Sequence, residues 1–418
     1  MKTTRFAERI ISFVLLLIFV VSTFGCSHEI TSEDLMKNVT PATSEKRPIE
    51  GGITDTADFA VRLLQSSSED GKNTLISPLS VLAALAMTVN GAEENTLSEM
   101  TDTIGVEREM LNDILSEYID NLPQGEKYKL NVANSIWFTD DERFTVNGDF
   151  LQKNADTYRA DIYKTAFDKS TLNDINSWVE RETDGMIKNI LDEIPSDAIM
   201  YLVNALAFDA EWRVTYKKNQ VKKGEFHLSD GSTQKVEFMN GVESKYLCDG
   251  DAEGFIKYYV GGKYAFVAIL PQEGTALSDY VDSLSGAKLL DILTNAKNAT
   301  VHTSIPKFEV EYGTEMSDAL RAMGIKDAFD PFNADFSGLG SSTGGNIFIS
   351  RVIHKTYISV GEKGTQAGAA TVVEMKDSAA PEDINNTKYV YLDRPFLYMI
   401  IDCENNMPIF MGTLNSVK

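Results

Sequence analysis

Cysteine is scarce. Three of the 418 residues are Cys (Cys26, Cys248 and Cys403), too few for a disulfide framework to staple the chain. The fold must therefore rest on a buried apolar core, for which 43% hydrophobic residues over this length is ample. Cys248 and Cys403, far apart in sequence, are expected to be buried small hydrophobes rather than partners in a bridge. The four histidines, His28, His227, His302 and His354, stand alone. Neither His-Glu-x-x-His nor Cys-x-x-Cys occurs, so no metal site is expected. Gly-x-x-x-x-Gly-Lys-Ser/Thr and Gly-x-Gly-x-x-Gly are missing too, which removes the usual phosphate cradles, and no cofactor is expected. Basic residues are outnumbered, 39 Lys and Arg against 62 Asp and Glu, for a net charge of -23. Such a surface repels phosphate backbones and gains little from counter-ion release, which excludes nucleic acid as a partner.

The N-terminus is the first informative segment that is present. Lys2, Arg5 and Arg9 precede an apolar, uncharged run from Ile10 to Val21, the pattern of an export signal over residues 1–25. The run is too short for a comfortable membrane-spanning helix. Gly25-Cys26 followed by Ser27 resembles a bacterial lipoprotein cleavage site, although Thr23 and Phe24 depart from the aliphatic and small residues usual there. That resemblance implies lipid on Cys26 and a membrane-anchored protein at the bacterial surface or periplasm, with plain secretion as the alternative. Residues 26–50 are polar from Ser27 to Pro48 without apolar periodicity and are expected to form a flexible tether. Residues 51–418 are expected to form a single domain.

Within that domain, Ser77-Pro78 is an N-cap followed by Pro at the first helical position. Leu79, Leu82, Ala83 and Ala86 then fall on one helical face. Thr96-Leu97-Ser98-Glu99 has capping-box spacing and predicts a second helix from Thr96. Leu172, Ile175, Trp178 and Val179 predict a third, ended by Gly185. Strands dominate the second half: Phe255–Val260 and Tyr264–Leu270 joined through Gly261-Gly262, a long strand from Phe348 to Val360, and a hairpin of Phe396–Ile401 with Ile409–Met411 around Glu404-Asn405-Asn406. The class is α+β with large sheets.

Gly340-Ser341-Ser342-Thr343-Gly344 fits Gly-x-Ser-x-Gly, the nucleophile-elbow string of hydrolases, which needs a strand before it and a helix after it. The flanking sequence offers a loop leading into a strand instead, and the chain is not expected to be an enzyme. More telling is Val360 to Glu374: a patterned strand gives way to small residues, with no helix cap and no strong turn, ending in the strand-prone Thr371, Val372 and Val373. Small side chains let a backbone slide between neighbours, so this segment is able to become a strand that it need not be at first.

Asn73 to Ser80, Leu202-Val203-Asn204-Ala205 with Trp212 after it, Phe226 to Gly231, and Arg394-Pro395-Phe396 with Phe410-Met411-Gly412 occur in the order of the serpin blocks. The chain resembles the serpins from about Asp55 to Thr413. The resemblance implies three β-sheets, eight to nine helices and an exposed reactive loop. It also implies a suicide mechanism in which a target serine protease, or alternatively a cysteine protease, cuts the loop. The protease is then held as a covalent acyl-enzyme while the loop inserts into the main sheet. Glu362, Gly364, Thr365, Gln366, Ala367, Gly368, Ala369 and Ala370 match the inhibitory hinge, with Gly368 departing from the usual Ala. Ser77, Ser80, Asn204 and His354 match the polar cluster under the central strands. Trp212, Lys307 and Glu362 match the group where insertion starts, with Lys307 and Glu362 as an ion pair. The family's spacing from Gly364 places the scissile bond at Ser378-Ala379, which implies an elastase-like target. Met375, Lys376, Asp377 and Ala380 stay open as alternatives, because the loop is longer than usual before Arg394. A non-inhibitory binding or carrier serpin is the alternative function, a monomer is expected, and the absence of a Lys/Arg cluster in the helical half argues against heparin-like activation.

Overall fold

Ser77 caps its helix as expected: its backbone is extended, its Oγ accepts from the Ser80 N–H at 3.2 Å, and Pro78 is the first helical residue. Every residue of that helix is buried, as a helix that is apolar all round requires. It is the axis on which the rest packs. The computed structural model describes residues 30–42, 52–195, 198–365 and 386–418.

Among the described residues there are nine α-helices: α1 (Ala57–Ser67), α2 (Pro78–Val89), α3 (Glu94–Ile104), α4 (Arg108–Asp120), α5 (Gly148–Tyr158), α6 (Lys169–Glu182), α7 (Leu277–Asp282), α8 (Gly286–Thr294) and α9 (Ser317–Met323). A seven-stranded sheet runs in the order β1 (Glu33–Asp34), β5 (Asp161–Thr165), β3 (Tyr128–Thr139), β6 (Met200–Glu211), β15 (Gly364–Thr365), β14 (Arg351–Val360), β12 (Phe308–Glu315). A nine-stranded sheet runs β16 (Thr387–Tyr391), β11 (Lys297–Pro306), β8 (Thr233–Cys248), β9 (Ala252–Tyr258), β10 (Tyr264–Pro271), β17 (Phe396–Asp402), β18 (Met407–Leu414), β2 (Thr74–Ile76), with β7 (Val221–His227) beside β8. A two-stranded ribbon joins β4 (Phe144–Val146) to β13 (Gly340–Ser342). The α+β class read from the sequence is the one observed.

The centre of the seven-stranded sheet, at β6, is buried on both faces, whereas its edge strand β12 alternates buried and exposed residues. On one side lies the large core around α2; on the other, Trp137, Tyr163, Ile175, Trp178, Tyr201, Val203 and Ile353 form a smaller apolar cluster under α6. Both expected hairpins form, β9 with β10 across Gly261 and Gly262, both at positive φ, and β17 with β18.

Several expectations need correction. Helix α3 starts at Glu94 and has no capping box at Thr96. The Thr96 Oγ1 accepts from the Asp335 N–H, and the Glu99 carboxylate accepts from the Lys326 and Asp327 N–H groups, so both would-be caps serve a distant loop. Strand β14 begins at Arg351 rather than Phe348, because the Ile349 N–H is taken by the Ala328 carbonyl. Cys248 is exposed and Cys403 only partly buried, where burial was expected; both are free thiols, as read from the sequence. The Gly-x-Ser-x-Gly string is half strand: Ser342 pairs with Phe144, and no helix follows it.

The tether expectation fails for residues 30–42. Glu33 and Asp34 pair antiparallel with Lys164 and Tyr163 at the edge of the large sheet. Asp174 of α6, fully buried, accepts four hydrogen bonds from the segment through Oδ2: from the N–H and Oγ1 of Thr31, both at 3.0 Å, and from the N–H and Oγ of Ser32, at 2.8 and 2.7 Å. Burial works to raise the pKa of this carboxyl, but the Ser32 and Thr31 hydrogen bonds outweigh it and hold it below the ordinary value. Asp174→Ala is expected to cost about 2 kcal/mol of stability and to expose residues 30–42 to limited proteolysis, since charge-assisted bonds to two N–H groups are lost together. Urea denaturation beside a proteolysis time course measures both effects.

Candidate functional site

Two groups of side chains flank the place where β6 and β14 separate. Lower in the sheet these strands run parallel and pair directly, from Arg351 with Tyr201 to Lys355 with Ala205. Farther along they have parted, and Thr365 of β15 lies between Val360 of β14 and Ala210 of β6, antiparallel to both. The first two residues of the small-residue segment are thus already part of the sheet. Gly364 makes this possible: a Cβ there would stand 2.0 Å from the Ala210 carbonyl oxygen, so no larger residue fits without moving backbone.

The lower group is the one the resemblance assembled from Ser77, Ser80, Asn204 and His354. All four are buried. The Ser77 N–H points at His354 Nε2 at 3.1 Å, and His354 Nδ1 faces Asn204 Oδ1. A backbone N–H only donates, so Nε2 accepts, and the ring proton sits on Nδ1 and is donated to Asn204. The imidazole is therefore neutral. Burial, with no carboxylate to compensate, pushes its pKa down to about 3. His354 and Asn204 are also register partners on the two strands that part, so this bond crosses the seam.

The upper group holds the turn between β14 and β15. Trp212 Nε1 donates to the Gly361 carbonyl at 2.8 Å, the Tyr216 N–H to Glu362 O at 3.0 Å, and the Trp212 N–H to Lys363 O at 2.8 Å. Three consecutive carbonyls are thus fixed by one short stretch of chain. The expected ion pair is present: Lys307 Nζ lies 3.0 Å from Glu362 Oε1 and also 3.0 Å from Glu237 Oε2. Being partly exposed, it is worth about 0.2–1 kcal/mol. The Thr365 side chain is 1% exposed and its Oγ1 shares a hydrogen bond with the Tyr259 hydroxyl, whose ring stacks on Trp212 with centroids 4.5 Å apart.

Tyr259 escaped the sequence reading. Its signal was the paired Tyr258-Tyr259 just before the Gly261-Gly262 turn. Of the hinge, Glu362, Gly364 and Thr365 are placed. Gln366, Ala367, Gly368, Ala369 and Ala370 lie outside the described residues, as do the candidate reactive residues Met375, Lys376, Asp377, Ser378, Ala379 and Ala380, and the lipid candidate Cys26. Among the described residues no group of three or more His, Cys, Asp or Glu comes together as a metal site.

Comparison with known proteins agrees with this geometry. Residues 54–417 match the family Serpin (serine protease inhibitor). Iris from Ixodes ricinus is 30% identical over 375 residues, covering 87% of this chain and 97% of its own. The crystal structure of Tengpin, a thermophilic serpin, in its native state superposes with a TM-score of 0.87 at 47% identity, covering 92% of this chain and 99% of its own. The latent state of Tengpin superposes less well, with a TM-score of 0.79 at 46% identity over 90% of this chain and 100% of its own.

Proposed function

The chain belongs to the serpin family, a family of serine protease inhibitors, and from that premise we propose that it is a suicide-substrate inhibitor of elastase-like serine proteases. The observation that carries this reading is the seating of Gly364 and Thr365 between β6 and β14, with a run of mostly small residues and then the strand-prone Thr371, Val372 and Val373 following in sequence. A hinge that already lies in the gap has only to extend along it. In the proposed reaction the protease's catalytic Ser attacks the Ser378 carbonyl, the bond to Ala379 breaks, and the new amine leaves with the C-terminal fragment. The loop, still esterified to the protease, enters the sheet before water reaches the ester. The greater likeness to a native than to a latent relative supports an intact protein with that insertion still ahead. The chain itself supplies no catalytic group.

The small residues Ser378 to Ala380 favour a protease with a shallow specificity pocket. A cysteine protease, whose thioester would be trapped in the same way, is the second partner class. Lipid on Cys26 would hold the monomer at a bacterial membrane.

The test is to mix the protein lacking its first 26 residues with pancreatic elastase, run a denaturing gel and sequence the released C-terminal peptide. A covalent band with a new terminus at Ala379 is the expected result, and a complex cut at Met375, Lys376 or Asp377 keeps the mechanism and moves the bond. Cleavage by elastase, trypsin, chymotrypsin and subtilisin without any covalent band would overturn the inhibitory reading in favour of a binding or carrier serpin.

A further inference from the structure

The stretch that grips the hinge rests on a buried charge. Lys257, on β9 between Ile256 and Tyr258, is only 3% exposed. Its Nζ donates to Glu243 Oε1 of β8 at 2.8 Å and to the Val214 carbonyl at 3.3 Å, and stands 4.4 Å from the Tyr216 ring centroid and 5.2 Å from that of Trp212. Burial opposes the charge, but Glu243 and the Tyr216 contact outweigh it, so the amino group stays protonated with a raised pKa.

We propose that Lys257 is a positioning residue for loop insertion: it fixes the Trp212–Tyr216 stretch from below, and that stretch fixes the hinge from above. The argument is one of connectivity. The residues from Trp212 to Tyr216 lie between β6 and β7 with no helix or strand of their own. On one side they meet the Gly361, Glu362 and Lys363 carbonyls; on the other, Val214 O and the rings of Trp212 and Tyr216 meet the same ammonium group. Tyr259, two residues from Lys257 and just past the end of β9, carries the stack under Trp212 and the hydrogen bond to Thr365. A cation under two aromatic faces and a carbonyl is a directional support that an apolar side chain of equal length does not give. Arg213 of the same stretch stacks on Tyr258, while Glu243 pairs with Lys257.

The inference rests on the inhibitor reading, and its test separates the two. Lys257→Met keeps the length and removes the charge. The double variant Lys257→Met/Glu243→Gln is measured beside it, because it leaves no lone carboxylate buried. Two readouts are taken on the whole protein. With a protease that the wild type traps, the number of inhibitor molecules consumed per trapped protease is expected to rise at least about threefold, while the rate of loop cleavage changes by less than about twofold, as for a slower insertion step with unchanged recognition. Without any protease, a synthetic peptide with the sequence of residues 364–377 is expected to enter the sheet of either variant at least about twofold faster, because a hinge released from its clamp no longer competes for the gap. Folded variants with wild-type values in both readouts overturn the role of Lys257. A wild type that traps no protease overturns the inhibitor reading instead, and peptide uptake then still decides about Lys257.

Discussion

Thr365→Arg is expected to turn the protein from a trap into a plain substrate, lowering the yield of covalent complex at least about 100-fold while cleavage of the loop continues. The wild-type side chain is buried between β6 and β14 and is bonded to Tyr259. A guanidinium in its place would have to leave water with no carboxylate to meet it, at a cost of several kcal/mol, whereas about 2.7 kcal/mol already slows insertion a hundredfold. The ester would hydrolyse first. Thr365→Ser keeps the hydroxyl and the small volume and is expected to retain complex formation. Thermal melts check the cause: cleaved wild type should melt higher than the intact protein, having added a strand to its sheet, and cleaved Thr365→Arg should not. Equal complex yields from wild type and Thr365→Arg would contradict the seated-hinge argument.

Acid is the second strong lever, and it acts through His354. The folded protein holds this group near a pKa of about 3 because burial disfavours the cation, while in the unfolded chain it titrates near 6.5. Between those values the unfolded state binds more protons, so stability rises with pH: the contribution is complete above about 6.5 and is lost as pH falls toward 3. The full span is about 5 kcal/mol at 1.36 kcal/mol per unit. Asp174, with its lowered pKa, adds a loss of the same sign at more acidic pH. The two are separated with His354→Asn, which should flatten the slope between pH 4 and 6.5 while leaving the loss below it. Urea unfolding from about pH 2.5 to 7.5 measures both. An unchanged slope in the variant would mean that His354 is not the titrating group.

How much of this was legible depended on how local each signal was. The Ser77-Pro78 start and the Gly261-Gly262 hairpin are contained within a few residues, and both came out as read. Thr96 and Glu99 have ideal capping spacing, yet their oxygens are engaged by backbone more than 220 residues away; local propensity yielded to a tertiary partner. Residues 30–42 look featureless because what holds them is Asp174, 142 residues farther on. The polar cluster and the hinge became readable only through resemblance, since no spacing rule brings Ser77, Asn204 and His354 together. Lys257 was passed over for a different reason. A lysine amid Gly254-Phe255-Ile256 and Tyr258-Tyr259 reads as the outward position of an alternating strand, but this strand is covered on both faces. A charge flanked on each side by unbroken apolar residues is the pattern that would have marked it.

The docking of the N-terminal segment also sets how far the protein can stand from a membrane. A free tether from Cys26 to the domain would give a leash of more than twenty residues. With Thr31 and Ser32 fastened to α6 and Glu33 to the sheet edge, Cys26 stands four steps of chain from Ile30, a reach of roughly 14 Å at most. That is shorter than the radius of gyration of about 20 Å expected for a domain of this size. If lipid sits on Cys26, the body lies against the bilayer with its β1 edge turned inward, and any protease it captures is caught at the membrane surface and kept there.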